Sequence, residues 1–170
     1  MKKSIGILGL ILVLLLAFGV NVQAQSNEVS ETCTTTFYTT MKVLPLGEGS
    51  VYANYEAIGT TVSDTGGGLF HNATLRVLGA AKNEKGIIKD ERGWGVWNLQ
   101  NGDKVFITYT FAGTFKSGVG FAKGTTTITG GTGKAAGIQG SAELTRTNVR
   151  SGIEGVGLNY TKQNIKYTLP

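Results

Sequence analysis

Few residues in this chain are of the types that do chemistry, and that scarcity is the first constraint. There is one histidine, His71, and one cysteine, Cys33, in 170 residues. A structural zinc site takes four such ligands, so the chain has no set from which to build one. A histidine acting as general base needs a partner to orient it. None is readable around Phe70-His71-Asn72, so His71 is expected at a surface or rim. Cys33 lies in the polar run Glu31-Thr32-Cys33-Thr34. It could be a reactive thiol or an intermolecular bridge, but the expectation is an unpaired residue near a frayed end. An internal disulfide is impossible.

Gly131-Thr132-Gly133-Lys134-Ala135-Ala136 matches the loose dinucleotide pattern Gly-x-Gly-x-x-Ala. That chemistry needs a helix to follow, whose N-terminus meets the pyrophosphate. The continuation Gly137-Ile138-Gln139-Gly140 is no helix, and Ala135 stands where a Walker loop needs a hydroxyl. The segment reads as a turn. Asn72-Ala73-Thr74 and Asn159-Tyr160-Thr161 are glycosylation sequons, meaningful only in a eukaryotic host.

The remaining candidates are polar residues inside apolar runs. At a spacing of two, Tyr52, Asn54 and Glu56 share one face; Arg76 lies on a face with Asn72 and Thr74; Arg92 and Trp94 share a third. Pointing inward, Glu56 with Arg76 or Arg92 would make a charge pair in a pocket walled by Tyr52 and Trp94, an anchor for a ligand. Pointing outward, the same residues are a solvent face with cross-strand ion pairs. Parity fixes which residues travel together and leaves the direction open. Trp97 lies on the opposite face from Trp94, so one tryptophan belongs to the core.

The elements carrying these residues read as strands. Glycine, at 26 residues, and abundant threonine disfavour helices. Eight runs, over 37–44, 51–62, 69–78, 87–99, 103–115, 119–129, 138–149 and 155–169, alternate with glycine-rich breaks. Val105, Ile107, Tyr109 and Phe111 recur at a step of two, and Thr125-Thr126-Thr127-Ile128-Thr129 suits a pleated surface. Asn101-Gly102 is a hairpin signal. Breaks of hairpin length predict an all-β, eight-stranded antiparallel up-and-down β-barrel, since parallel strands would need helical crossovers. Closure removes exposed edges, and a barrel of this size is filled by side chains or holds one small ligand. Gly59, Gly93, Gly95, Gly113 and Gly120 are expected to mark bends or bulges.

Residues 1–24 read as a cleaved signal peptide: Lys2 and Lys3, an apolar run over 5–20, then Val22-Gln23-Ala24 as the cleavage site. No cysteine follows the run to carry a lipid, so no stable membrane anchor is expected after cleavage. Residues 25–35 are expected to be a flexible polar segment and 36–170 the barrel domain. The destination is periplasmic or secreted. Loss of Lys2 and Lys3 lowers the net charge from +5 to +3. The cations Lys82, Lys85, Lys89 and Arg92 are interleaved with Glu84, Asp90 and Glu91, so there is no basic stripe for nucleic acid.

From Trp94 to Leu144 the chain resembles bacterial allene oxide cyclase-like barrel domains. The resemblance rests on Asn101-Gly102-Asp103-Lys104-Val105-Phe106, Gly113-Thr114-Phe115, Thr127-Ile128-Thr129-Gly130-Gly131-Thr132-Gly133-Lys134 and Gly137-Ile138-Gln139-Gly140. The glycine-threonine-glycine turn is similar to that of plant dirigent proteins. The resemblance implies an eight-stranded barrel with a cavity at one end, and a homo-oligomer, a trimer in the plant relatives. It transfers no activity, because neither family's catalytic residues fall on matching positions. The cyclases steer a strained epoxide and the dirigent proteins steer the coupling of phenoxy radicals. Three functions follow in order: a barrel binding a small apolar or aromatic molecule, a filled structural barrel, and a cyclase- or dirigent-type enzyme or guide. No cofactor is expected.

Overall fold

A computed structural model describes residues 28–170. The expected signal peptide lies outside the described residues. The chain forms β1 (Val29–Gly47), β2 (Ser50–Ser63), β3 (Ala73–Glu84), β4 (Ile87–Asn98), β5 (Lys104–Lys116), β6 (Val119–Gly131), β7 (Gln139–Val149) and β8 (Val156–Thr168). Each strand pairs antiparallel with the next, and β8 closes on β1. The fold is therefore a closed eight-stranded up-and-down barrel. Among the described residues the one helical element is a single 3₁₀ turn, Gly133–Ala135.

The barrel has two unlike ends. The β2–β3, β4–β5 and β6–β7 turns close one end over a packed core. There Phe70 stacks against Trp97 at 4.7 Å and meets Tyr167 edge-on at 5.5 Å. The buried Glu31 carboxylate ties the β2–β3 turn down, accepting from the backbone N–H of Leu69 at 2.7 Å and from the Tyr167 hydroxyl at 2.6 Å. Above this plug, Trp97 Nε1 donates to Thr61 Oγ1, which shares a hydrogen bond with Thr35, and Gln163 Nε2 donates to Thr35. No fully buried side-chain nitrogen or oxygen of that layer lacks a partner, as burial requires. The other four hairpins ring an open mouth.

Three expectations need correction. The segment expected to be flexible over 25–35 is strand from Val29 onward, with Glu31, Cys33 and Thr35 buried. Its alternation was masked because two of its three inward residues are polar. Cys33 is accordingly a core residue, not one at a frayed end. The third strand begins at Ala73, because residues 69–72 form the turn that delivers Phe70 to the plug. Finally, of the five strand glycines only Gly113 lies at a register shift, opposite Ile88 where the β4 bulge begins; Gly59, Gly93, Gly95 and Gly120 do not bound the shifts at Pro45/Gly47, Ala80/Asn83, Ile88/Glu91 and Phe106/Ile107. The five allow close approach: a Cβ on Gly113 or Gly120 would strike a neighbouring strand's carbonyl oxygen.

Candidate functional site

The mouth half of the barrel is hollow. A cavity of about 880 Å³ opens between the four mouth hairpins and reaches down to the Thr35–Gln163 layer. That is within the range of small-molecule sites, roughly 300–1,000 Å³. Most of its wall is apolar, with Ala57, Val77, Ile88, Ile107, Phe111 and Leu144 facing the lumen.

Into this apolar wall the fold sets one charged pair. Glu91 Oε1 and Oε2 accept from Arg146 Nη1 and Nη2 at 2.5 and 2.7 Å, the bidentate geometry that makes such pairs strong. The side chains are only 2% and 11% exposed. Tyr55 donates to Glu91 Oε1 at 2.5 Å. Its single proton is thereby used, so the 2.8 Å contact between the Tyr55 and Tyr109 hydroxyls has Tyr109 as donor. The result is a directed chain, Tyr109 to Tyr55 to Glu91, with Arg146 on the carboxylate's other side. The Arg146 guanidinium also lies 4.5 Å over the Phe111 ring.

Each member is held by an identifiable local feature. In β4 the burial pattern breaks between Ile88 and Glu91, where one extra residue relative to β5 forms a bulge. Lys89 and Asp90 both face out, and Glu91 turns in; bulges commonly re-aim a side chain in this way. Gly79 and Gly93 sit opposite each other on β3 and β4. A Cβ on either would lie 2.3 Å from the Tyr109 hydroxyl oxygen, so the two phenols occupy space that only glycines leave free. Arg146 faces Ala122 across β6–β7, another small neighbour.

The electrostatics follow from burial. Burial first, and then the charge of Glu91, pushes the Tyr55 phenol far above its ordinary range. Burial does the same to Tyr109. Both stay protonated at any physiological pH and act as hydrogen-bond donors, not as bases. For Arg146 burial works against the charge, but its hydrogen bonds to and attraction by Glu91 outweigh it, and the guanidinium stays charged. One inward position nearer the mouth, Asn148 carries a buried Nδ2 without a partner, as does Arg146 at Nε. Asn159 completes this polar side, donating to Thr39. Among the described residues no cluster of His, Cys, Asp or Glu could hold a metal ion.

The residues expected as a cavity site lie elsewhere. Tyr52, Asn54, Glu56, Arg76, Arg92 and Trp94 all face outward, so the outward alternative holds. Glu56 and Arg76 do pair, Nε to Oε1 at 2.6 Å, but on the outer wall with both side chains solvated. Arg92 pairs with Asp90, and Trp94 is 67% exposed while Trp97 is fully buried. The inward set is the alternate one, Tyr55 and Ala57 on β2 and Glu91 and Gly93 on β4. His71 sits at the closed end, accepting from the Ser63 N–H, remote from the cavity. In the Gly131–Ala136 turn the Lys134 N–H is taken by Asp103 Oδ2, so the segment is a turn locked by a carboxylate of the β4–β5 connection.

Fold and site together define a class: an antiparallel up-and-down barrel, plugged at one end, with an apolar cavity at the other and one buried ion pair in its wall. No protein-family model matches the chain, and no curated protein matches it. Among solved structures it is similar to the pterocarpan synthase dirigent protein, at 12% identity over 85% of this chain and 97% of that one, with a TM-score of 0.26. Likeness that low carries no argument, and the architecture rests on the closed strand order itself.

Proposed function

We propose that this protein binds a small apolar or aromatic molecule carrying a hydrogen-bonding oxygen, inside the mouth half of the barrel. The observation that carries the reading is the hollow upper lumen, where an apolar wall surrounds a few convergent polar groups. A filled structural barrel does not fit that hollow. Glu91 already neutralises Arg146, so the cavity favours an uncharged polar group over a second anion. The leader-like residues 1–24 support a site of action outside the cytoplasm.

Native mass spectrometry of residues 25–170, recovered from the exporting host without refolding, tests this. The expected spectrum shows extra mass that extracts into organic solvent, or gains it on incubation with a lipid and phenolic mixture. Ala57→Phe, which narrows the lumen, should lose it. A clean apo mass under every condition would overturn the reading.

A second reading, a cyclase- or dirigent-type guide, is favoured by one feature: the Tyr109–Tyr55–Glu91 chain can hold a proton at a fixed place in an apolar site. Under it, Tyr109→Phe would retain the bound compound but alter the product distribution. Unchanged products would leave simple binding as the function.

A further inference from the structure

We propose that the mouth end of the barrel docks on anionic lipid bilayers, so that the cavity opens directly onto the membrane surface. All four mouth hairpins present an exposed aliphatic side chain at or beside the tip: Leu44 and Leu46 on β1–β2, Ile87 on β3–β4, Val119 on β5–β6 and Ile153 on β7–β8. Leu44 and Ile153, at 60% and 63% exposure, are the most exposed of these. The turns at the closed end carry no exposed large apolar residue: Phe70, Leu99 and Ile138 are buried in the plug and Leu69 is half-buried, while the exposed Val62 and Leu169 lie at the ends of the flanking strands. The hairpin tips of the mouth are thus more apolar at their surface than the turns of the closed end, although both stand in the same water.

Charge follows the same pattern. Each mouth hairpin carries a cation beside its aliphatic tip, Lys42, Lys85, Lys116 and Arg150 in order, and Lys82 and Lys89 flank the β3–β4 tip. Against these six stand four acids, Glu48, Glu84, Asp90 and Glu154. Of those, Glu48 and Glu84 are already engaged by Lys85, Lys82 and Lys89. Lys116 and Arg150 make no ion pair with a described residue and line the cavity entrance. Apolar tips ringed by cations are the pattern of a surface that settles into the headgroup boundary of an anionic leaflet. The cavity supplies the reason for the contact: an apolar compound partitions into lipid, and a mouth seated on the bilayer lets it pass without crossing water. This docking does not depend on the identity of the ligand.

The test is co-sedimentation of residues 25–170 with vesicles, one set of pure phosphatidylcholine and one containing 30% phosphatidylglycerol. The expected result is binding to the anionic vesicles that falls at least tenfold in Leu44→Asp/Ile153→Asp, and falls with added salt. Circular dichroism establishes that the variant keeps its fold. Orientation is read separately. Cys33 is buried, so Ile153→Cys and Asn101→Cys can each be labelled with an environment-sensitive dye. The mouth label should shift to the blue on vesicles and the closed-end label should not. Absence of vesicle binding, equal binding to both compositions, or a shift at the closed end would each overturn the proposal. So would a mouth-to-mouth dimer that the same substitutions abolish while vesicles remain unbound.

Discussion

Replacing Glu91 by glutamine removes a single charge with almost no change of shape, and its cost follows from what surrounds it. The carboxylate accepts three hydrogen bonds, two from Arg146 and one from Tyr55. Glutamine keeps one acceptor oxygen and turns an NH₂ group toward donors, so at least one guanidinium or phenol proton loses its partner. More costly is the guanidinium itself, left as an uncompensated cation in a wall that gives it 11% exposure. Breaking one partner of a buried pair typically costs about 3–5 kcal/mol. In a chain of this length that lowers Tm by roughly 6–20 °C, at about 2–4 °C per kcal/mol. Arg146→Met alone should cost a similar amount by leaving the carboxylate unpaired. The double variant removes both charges, and its loss should be smaller than either single loss, giving a coupling energy of at least about 3 kcal/mol. Urea unfolding followed by circular dichroism supplies all four corners of the cycle. If Glu91→Gln stays within about 1 kcal/mol of the parent and the two losses simply add, the pair is not desolvated as described and the reasoning fails.

Gly93→Ala should destabilise by about 1–3 kcal/mol through overpacking against the Leu78 carbonyl oxygen and the Tyr109 hydroxyl, read as a lower unfolding midpoint; a neutral result would mean that β3 and the Tyr109 phenol do not approach Gly93 as placed. Tyr55, Tyr109 and Tyr167 all have raised phenol pKa values. The unfolded chain therefore loses these protons first, near pH 10, so their contribution is complete below about pH 10 and is lost as pH rises toward the folded values. Tyrosinate absorbance should show a fraction that appears only as the barrel's circular dichroism collapses, and smooth titration without unfolding would contradict this. Cys33, its thiol pushed up to about 12 by burial and then by Glu31, should resist thiol reagents at pH 8 in the folded protein and react fully in denaturant; prompt native labelling would place it at the surface.

The architecture was legible because it depends on period and punctuation, which a sequence displays directly. The 105–111 alternation, the Asn101-Gly102 turn and the glycine breaks place most strands to within a few residues. The site was not legible, because it depends on which parity faces inward, and parity is a single bit that one inserted residue reverses. In β4 the bulge at Lys89–Asp90 makes that reversal. On its mouth side the inward residue is Ile88; on its plug side the inward set is Glu91, Gly93, Gly95 and Trp97. Two signals were available. Gly79 and Gly93 needed a reason to lack side chains, and Trp97, a large apolar residue, favoured its own face as the inner one over that of Trp94.

What the described wall holds at this level is a set of departures from local rules in one place. A bulge interrupts β4, two glycines face each other in the middle of a sheet, an ion pair is buried in apolar surroundings, and Asn148 and Arg146 each keep a buried nitrogen without a partner. Singly, each has a structural cost, since glycines weaken strands and buried pairs are often replaceable by apolar residues at no loss of stability. The plugged end shows that this chain can build a dense interior in which no fully buried side-chain nitrogen or oxygen is left unpartnered. Phe70, Trp97 and Tyr167 fill it, and the Thr35–Thr61–Gln163 layer is satisfied. Costs gathered around one cavity, and the two unpartnered nitrogens above all, support the proposed reading of a binding wall.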